Sequence, residues 1–69
     1  MIELPDIEFV SALVHQAWIK SKKEQGFITR KAEDGEELLV PYYQLSEKAK
    51  DLDRNTVKAV YGAIRNLQG

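Results

Sequence analysis

Cysteine is absent from the 69-residue chain, and histidine occurs once, at His15. No disulfide framework and no thiolate metal site can form, and a multi-histidine zinc site or a two-histidine relay is excluded with them. An excess of charge of one sign is lacking too. Ten Lys and Arg stand against eleven Asp and Glu, for a net charge of −1. A general polyanion binder carries a clear basic excess, so nucleic acid is not an expected partner. No apolar run approaches the roughly 18 residues that cross a bilayer. Met1-Ile2-Glu3-Leu4-Pro5 lacks the charged and apolar regions of a signal peptide. The expectation is a cytoplasmic chain with no membrane partner. A Gly-rich phosphate loop and an HExxH zinc motif are missing. Carboxylate pairs can be drawn only between cap and loop positions, which lack the desolvation that raises a pKa. The sequence therefore points away from an enzyme, and it calls for no catalytic residue, no cofactor and no metal.

What is present is enough for one domain spanning residues 1–69. Hydrophobic residues make up 43% of the chain, an ordinary share that builds a core, but a thin one. At this size a single core supplies roughly 3–5 kcal/mol, which leaves little to support a strained or buried polar active site. A binding or structural module fits better. Charge is arranged in blocks. Glu3, Asp6 and Glu8 form an acidic start, Lys20, Lys22, Lys23, Arg30 and Lys31 a basic middle, and Glu33, Asp34, Glu36 and Glu37 an acidic cluster directly after it. Neighbouring blocks of opposite sign read as a solvated surface that neutralises itself.

The apolar spacing predicts a first helix over about 6–25, with a stripe of Ile7, Val10, Val14, Ala17 and Trp18, and Leu13 and Ser21 beside it. Asp6 caps its start, and Gly26 stops it in a left-handed turn. A small β-hairpin is expected next. Its strands are Phe27-Ile28-Thr29 and Leu38-Leu39-Val40, and Asp34-Gly35 suits a type I′ turn. Pro41 ends the second strand. Ser46 caps a short helix, Glu47 to about Lys50, and Asp51 or Asp53 caps a last helix that runs to about Leu67. The stripe of that helix is Val57, Val60, Tyr61, Ile64 and Leu67. Gly62 inside it suggests close approach of a backbone or ring such as Trp18. The fold class expected is mainly α with a minor β part: two antiparallel amphipathic helices, a short helix and a small β-hairpin.

Four features stand out. Asp51, Asp53 and Asn55 match positions one, three and five of a calcium loop. The sixth position is Thr56 where Gly is needed, and the twelfth is Gly62 where Glu is needed, so helix capping is the better reading. His15 and Trp18, three apart, share one helix surface. They read either as a boundary histidine beside core or as an aromatic shelf with a hydrogen-bond donor for a planar ligand. Arg54 lies near a helix start, where a cation is slightly unfavourable, so it needs an anionic partner, either Asp51 or a ligand. Of Tyr42 and Tyr43, one is expected in the core and the other outside.

The run Leu13-Val14-His15-Gln16-Ala17-Trp18, then Gly26-Phe27, then Leu39-Val40-Pro41-Tyr42-Tyr43-Gln44-Leu45, then Lys50-Asp51-Leu52-Asp53-Arg54-Asn55-Thr56 resembles the successive motifs of the RyR domain. This is the small module repeated in ryanodine receptor channels and found singly in bacteria and phages. The likeness covers about 9–67. It departs at Phe27, where the family more often has Trp followed by a Gly, and in the shortened segment before Leu39. The resemblance implies two main antiparallel helices and a non-enzymatic binding and regulatory module, with an adenine-nucleotide or ADP-ribose-like ligand. It implies ligand contacts at His15, Trp18, Phe27, Tyr42 and Arg54: stacking by Trp18, a phosphate contact by Arg54, and a hydrogen bond from His15. A protein-interaction or structural module, binding a protein partner or a second copy of itself, is the competing reading. A helical DNA binder using the basic middle is disfavoured by the acidic cluster next to it.

Overall fold

The computed structural model describes residues 3–68. Two helices dominate: α1, Ile7–Glu24, and α2, Glu47–Gln68, with a single 3₁₀ turn, Tyr42–Gln44, between them. The Asp6 carboxylate accepts from the Phe9 N–H at 3.2 Å and so satisfies one orphan donor at the start of α1. At the other end Gly26 adopts φ +96°, which a side chain would resist. The Gly26 N–H donates to the Lys23 carbonyl and the Phe27 N–H to the Lys22 carbonyl, the paired bonds of a Schellman cap.

The connection differs from the expected hairpin. Among the described residues there is no strand, only an isolated antiparallel bridge between Lys31 and Glu37. The turn itself has hairpin chemistry. Gly35, at φ +90°, donates to the Ala32 carbonyl, and the Ala32 N–H reaches the Glu36 carbonyl. Asp34 does not take the positive φ that a type I′ turn needs. The loop is therefore a three-residue connection with glycine in the left-handed position. The ladder stops because a side chain takes over its donors. The Glu37 carboxylate accepts from the Arg30 N–H at 2.8 Å, the Leu39 N–H at 3.0 Å and the Thr29 hydroxyl.

The second correction concerns the C-terminal half. The short helix and the last helix are one continuous element. Ser46 caps it, its hydroxyl accepting from the Ala49 N–H at 3.1 Å while donating to Glu36 at 2.6 Å. Asp51 and Asp53 therefore sit inside α2 and cap nothing, and Asp53 points away from the side that Asp51 and Asn55 share, so the three do not converge as in a calcium loop. The third correction is at Gly62. A Cβ placed there meets nothing within 4 Å, so no ring or backbone approaches it.

Contacts between the helices fall in opposite order along the chain. Pro5 accepts from the Tyr61 hydroxyl, Glu8 pairs with Arg54, and His15 pairs with Asp53. The buried line of α1 is displaced from the expected stripe. Ser11 and His15 are the buried residues of this helix, whereas Ala17 and Leu13 are exposed. The apolar core is small: Tyr42, Leu45, Ala49, Val57 and Tyr61, with Ala12, Leu38 and Val40 packed against its first three members. Of the expected stripe on α2, Val57 and Tyr61 are buried, but Val60 and Leu67 are exposed. Among the described residues, no helix is long and apolar enough to cross a membrane.

Candidate functional site

His15 is the pivot. It projects from the middle of α1 into the space between α1, α2 and the segment before the 3₁₀ turn, and it is 3% exposed. Its Nε2 lies 2.9 Å from the Val40 carbonyl oxygen, and its Nδ1 lies 3.0 Å from Asp53 Oδ2. A carbonyl can only accept, so Nε2 carries a proton and donates it. A hydrogen bond between Nδ1 and the Asp53 carboxyl then needs a further proton, carried by one group or the other. Burial pushes the Asp53 carboxyl above its ordinary range, and the charge and hydrogen bond of His15 oppose that rise.

One turn along α1, the half-buried Trp18 ring stacks on His15 with centroids 5.4 Å apart and planes 27° from parallel. These two rings and Asp53 open onto a cleft of about 260 Å³, completed by Leu38, Leu52 and Thr56. Its floor is apolar and its fixed acceptor is Asp53, an arrangement that suits a flat ring bearing an N–H donor. The volume lies just under the roughly 300 Å³ of the smallest drug-sized sites, so it admits one ring system and not a whole dinucleotide.

Tyr42 and Arg54 belong to a second, connected network. Tyr42 is buried, its ring centroid 6.2 Å from that of His15, and its hydroxyl donates to Glu8 Oε1 at 2.9 Å. Burial first, and then the bond to Glu8, raise its phenol above the ordinary value. Tyr43 is the exposed neighbour, packed edge-on at 5.3 Å. Arg54 grips both oxygens of Glu8, with Nε to Oε2 at 2.8 Å and a terminal nitrogen to Oε1 at 2.9 Å. Its other terminal nitrogen donates to Asp51 at 2.9 Å and Glu47 at 3.1 Å. Hydrogen bonds from Arg54 hold the Glu8 and Glu47 carboxyls below their ordinary range. The helix-start cation thus has its anion inside the molecule, three times over.

Of the five residues the resemblance singles out, His15, Trp18 and Tyr42 cluster. Arg54 joins them only through Glu8 and Tyr42 and does not line the cleft. Phe27 stands apart, 40% exposed, with Lys22 and Arg30 over its ring at 5.2 and 5.7 Å. Asp53 and Thr56 are cleft residues that sequence reasoning did not assign to the site. Asp53 is eight residues from the nearest aromatic in the sequence, Tyr61, and reads as a cap until α2 is known to begin at Glu47. No protein-family model, curated protein or solved structure matches the chain.

Proposed function

We propose that this chain is a non-enzymatic binding and regulatory module of RyR type that recognises the base of an adenine-nucleotide or ADP-ribose-like ligand in the cleft beside Trp18. The observation that supports this reading most is the stack of Trp18 on a buried His15 whose partner, Asp53, opens onto the same cleft. Trp18 offers a ring face worth about 1–3 kcal/mol to a stacked base. Asp53 would accept from an exocyclic amine. His15, with both nitrogens engaged, keeps Trp18 and Asp53 in place instead of donating to the ligand. Arg54 supports no phosphate contact, because a phosphate would have to displace Glu8, Glu47 and Asp51 from it.

The chain has a single tryptophan, so its fluorescence reports on Trp18 alone. Titration with adenosine, ATP, NAD, ADP-ribose and cyclic ADP-ribose should quench it saturably for at least one ligand, and Asp53→Asn should weaken that binding. Flat titrations with all five at millimolar concentration would sink the proposal. The second reading, a protein-interaction or structural module with no small-molecule ligand, is favoured by the internal satisfaction of His15, Tyr42 and Arg54: each has its polar atoms bonded within the fold. Under that reading the motif residues are struts, and Asp53→Asn changes stability alone.

A further inference from the structure

The outer side of α2 carries an apolar stripe that no other part of the described residues covers. Leu52, Thr56, Ala59, Val60, Ala63 and Leu67 fall within about 100° of the helix circumference, the width of a stripe that normally faces a core. All six are exposed, with Leu52 at 60%, Val60 at 52% and Leu67 at 88%. No charged residue interrupts the stripe. Its spacing is symmetric about its midpoint between Ala59 and Val60. Read in either direction, the steps are four, three, one, three and four residues, with leucine at both ends and alanine inside. When two copies lie antiparallel, Leu52 meets Leu67, Thr56 meets Ala63, and Ala59 meets Val60. A twofold interface demands this self-complementarity, because residue i contacts j wherever j contacts i.

The surface area points the same way. A compact monomer of 7.9 kDa exposes about 4,400 Å², whereas this chain exposes 5182 Å². Its radius of gyration is 13.6 Å, against about 11 Å for a compact domain of this length. The excess of about 800 Å², spread over the elongated chain, is of the size that each partner contributes to a standard stable interface. We infer that the chain forms an antiparallel twofold dimer with a second copy of itself through the α2 stripe. The end of the stripe at Leu52 and Thr56 also walls the Trp18 cleft, so Leu67 of the second copy would close that cleft's outer edge. The dimer does not depend on the ligand reading, and its test uses no ligand.

Sedimentation equilibrium of the 69-residue chain from micromolar to millimolar concentration should show a monomer–dimer equilibrium. Val60→Glu sets a carboxylate from each copy in the buried centre and should raise the dissociation constant by roughly 100-fold or more. Leu13→Glu, on the exposed side of α1, should leave it unchanged, and circular dichroism checks that both variants keep their helix. With no native cysteine, a mixture of Leu52→Cys and Leu67→Cys chains should oxidise to a cross-linked pair, whereas Leu13→Cys should not cross-link. A wild type that stays monomeric at 1 mM overturns the inference. So does a dimer that Leu13→Glu weakens and Val60→Glu does not.

Discussion

Two polar residues on α1, Ser11 and His15, occupy the positions where a helix usually presents apolar side chains. They behave differently. Ser11 is fully buried and its hydroxyl has no hydrogen-bond partner among the described residues. Removing an unsatisfied polar group without leaving a large void is nearly neutral or stabilising. Ser11→Ala should therefore hold or raise stability by up to about 1 kcal/mol in urea unfolding, while Ser11→Leu should lower it by overpacking. His15 is bonded at both nitrogens, and its loss strands the Val40 carbonyl and the half-buried Asp53 together. His15→Ala should cost about 2–4 kcal/mol, most of what a domain this small has. The cost should depend on pH with a definite sign. Without His15 nothing opposes the burial that raises the Asp53 carboxyl, so the folded variant takes up a proton more readily than the unfolded chain. The stability gap between His15→Ala and wild type should then narrow as pH falls from about 6 towards 4, below the range in which the imidazole of the unfolded chain titrates. A gap that widens on acidification would contradict the arrangement.

At the scale of elements, the ends of α1 and the two-helix plan were legible because caps and periodicity are local signals: Asp6, Gly26 and Ser46 all act within three residues of themselves. The hairpin was not legible as it stands. Its turn follows from Asp34-Gly35, but the failure of its ladder depends on Glu37 reaching two backbone donors nine positions apart, Arg30 and Leu39. Those bonds hold the Glu37 carboxyl down at about 2, the Arg30 N–H contributing most, then the Thr29 hydroxyl and the Leu39 N–H. A carboxyl lowered in the folded state adds stability above its ordinary value of 4.5 and loses that contribution as pH falls from there to about 2. Glu37→Gln should lower Tm at neutral pH and flatten that acid limb, seen by following Tm from pH 6 to 2. The rotation of the buried line of α1 was hidden for a similar reason: His15 is admitted to the interior only by Asp53 and Val40, partners 38 and 25 positions away. The site was legible to the extent of Trp18 beside His15, three apart on one helix. Its acceptor was not, since Asp53 looks like a cap unless the helix is known to start earlier. Gly62 is the plainest case of a sequence signal without a tertiary cause. Space is open around it, so Gly62→Ala should stabilise α2 by about 1 kcal/mol, in line with helix propensity alone.

For the molecule as a whole, the five buried apolar residues among the described ones must support two helices of 18 and 22 residues. Side chains that would normally close such a core, Val60 and Leu67 above all, face outward on α2. A chain built this way draws part of its stability from whatever covers that face. If a second copy does, dimerisation adds to the stability that the folded monomer has alone, and stability rises with concentration by mass action. A 100-fold increase in protein concentration then adds about 2.7 kcal/mol per dimer, or roughly 1.4 kcal/mol per chain. For a domain under 100 residues each kcal/mol moves Tm by about 4–8 °C. Melting at 5 μM and at 500 μM should accordingly differ by roughly 5–10 °C for the wild type, and the two curves should coincide for Val60→Glu. A wild-type Tm that ignores concentration would mean that the thin core holds the fold unaided, and that the α2 stripe contributes nothing to it.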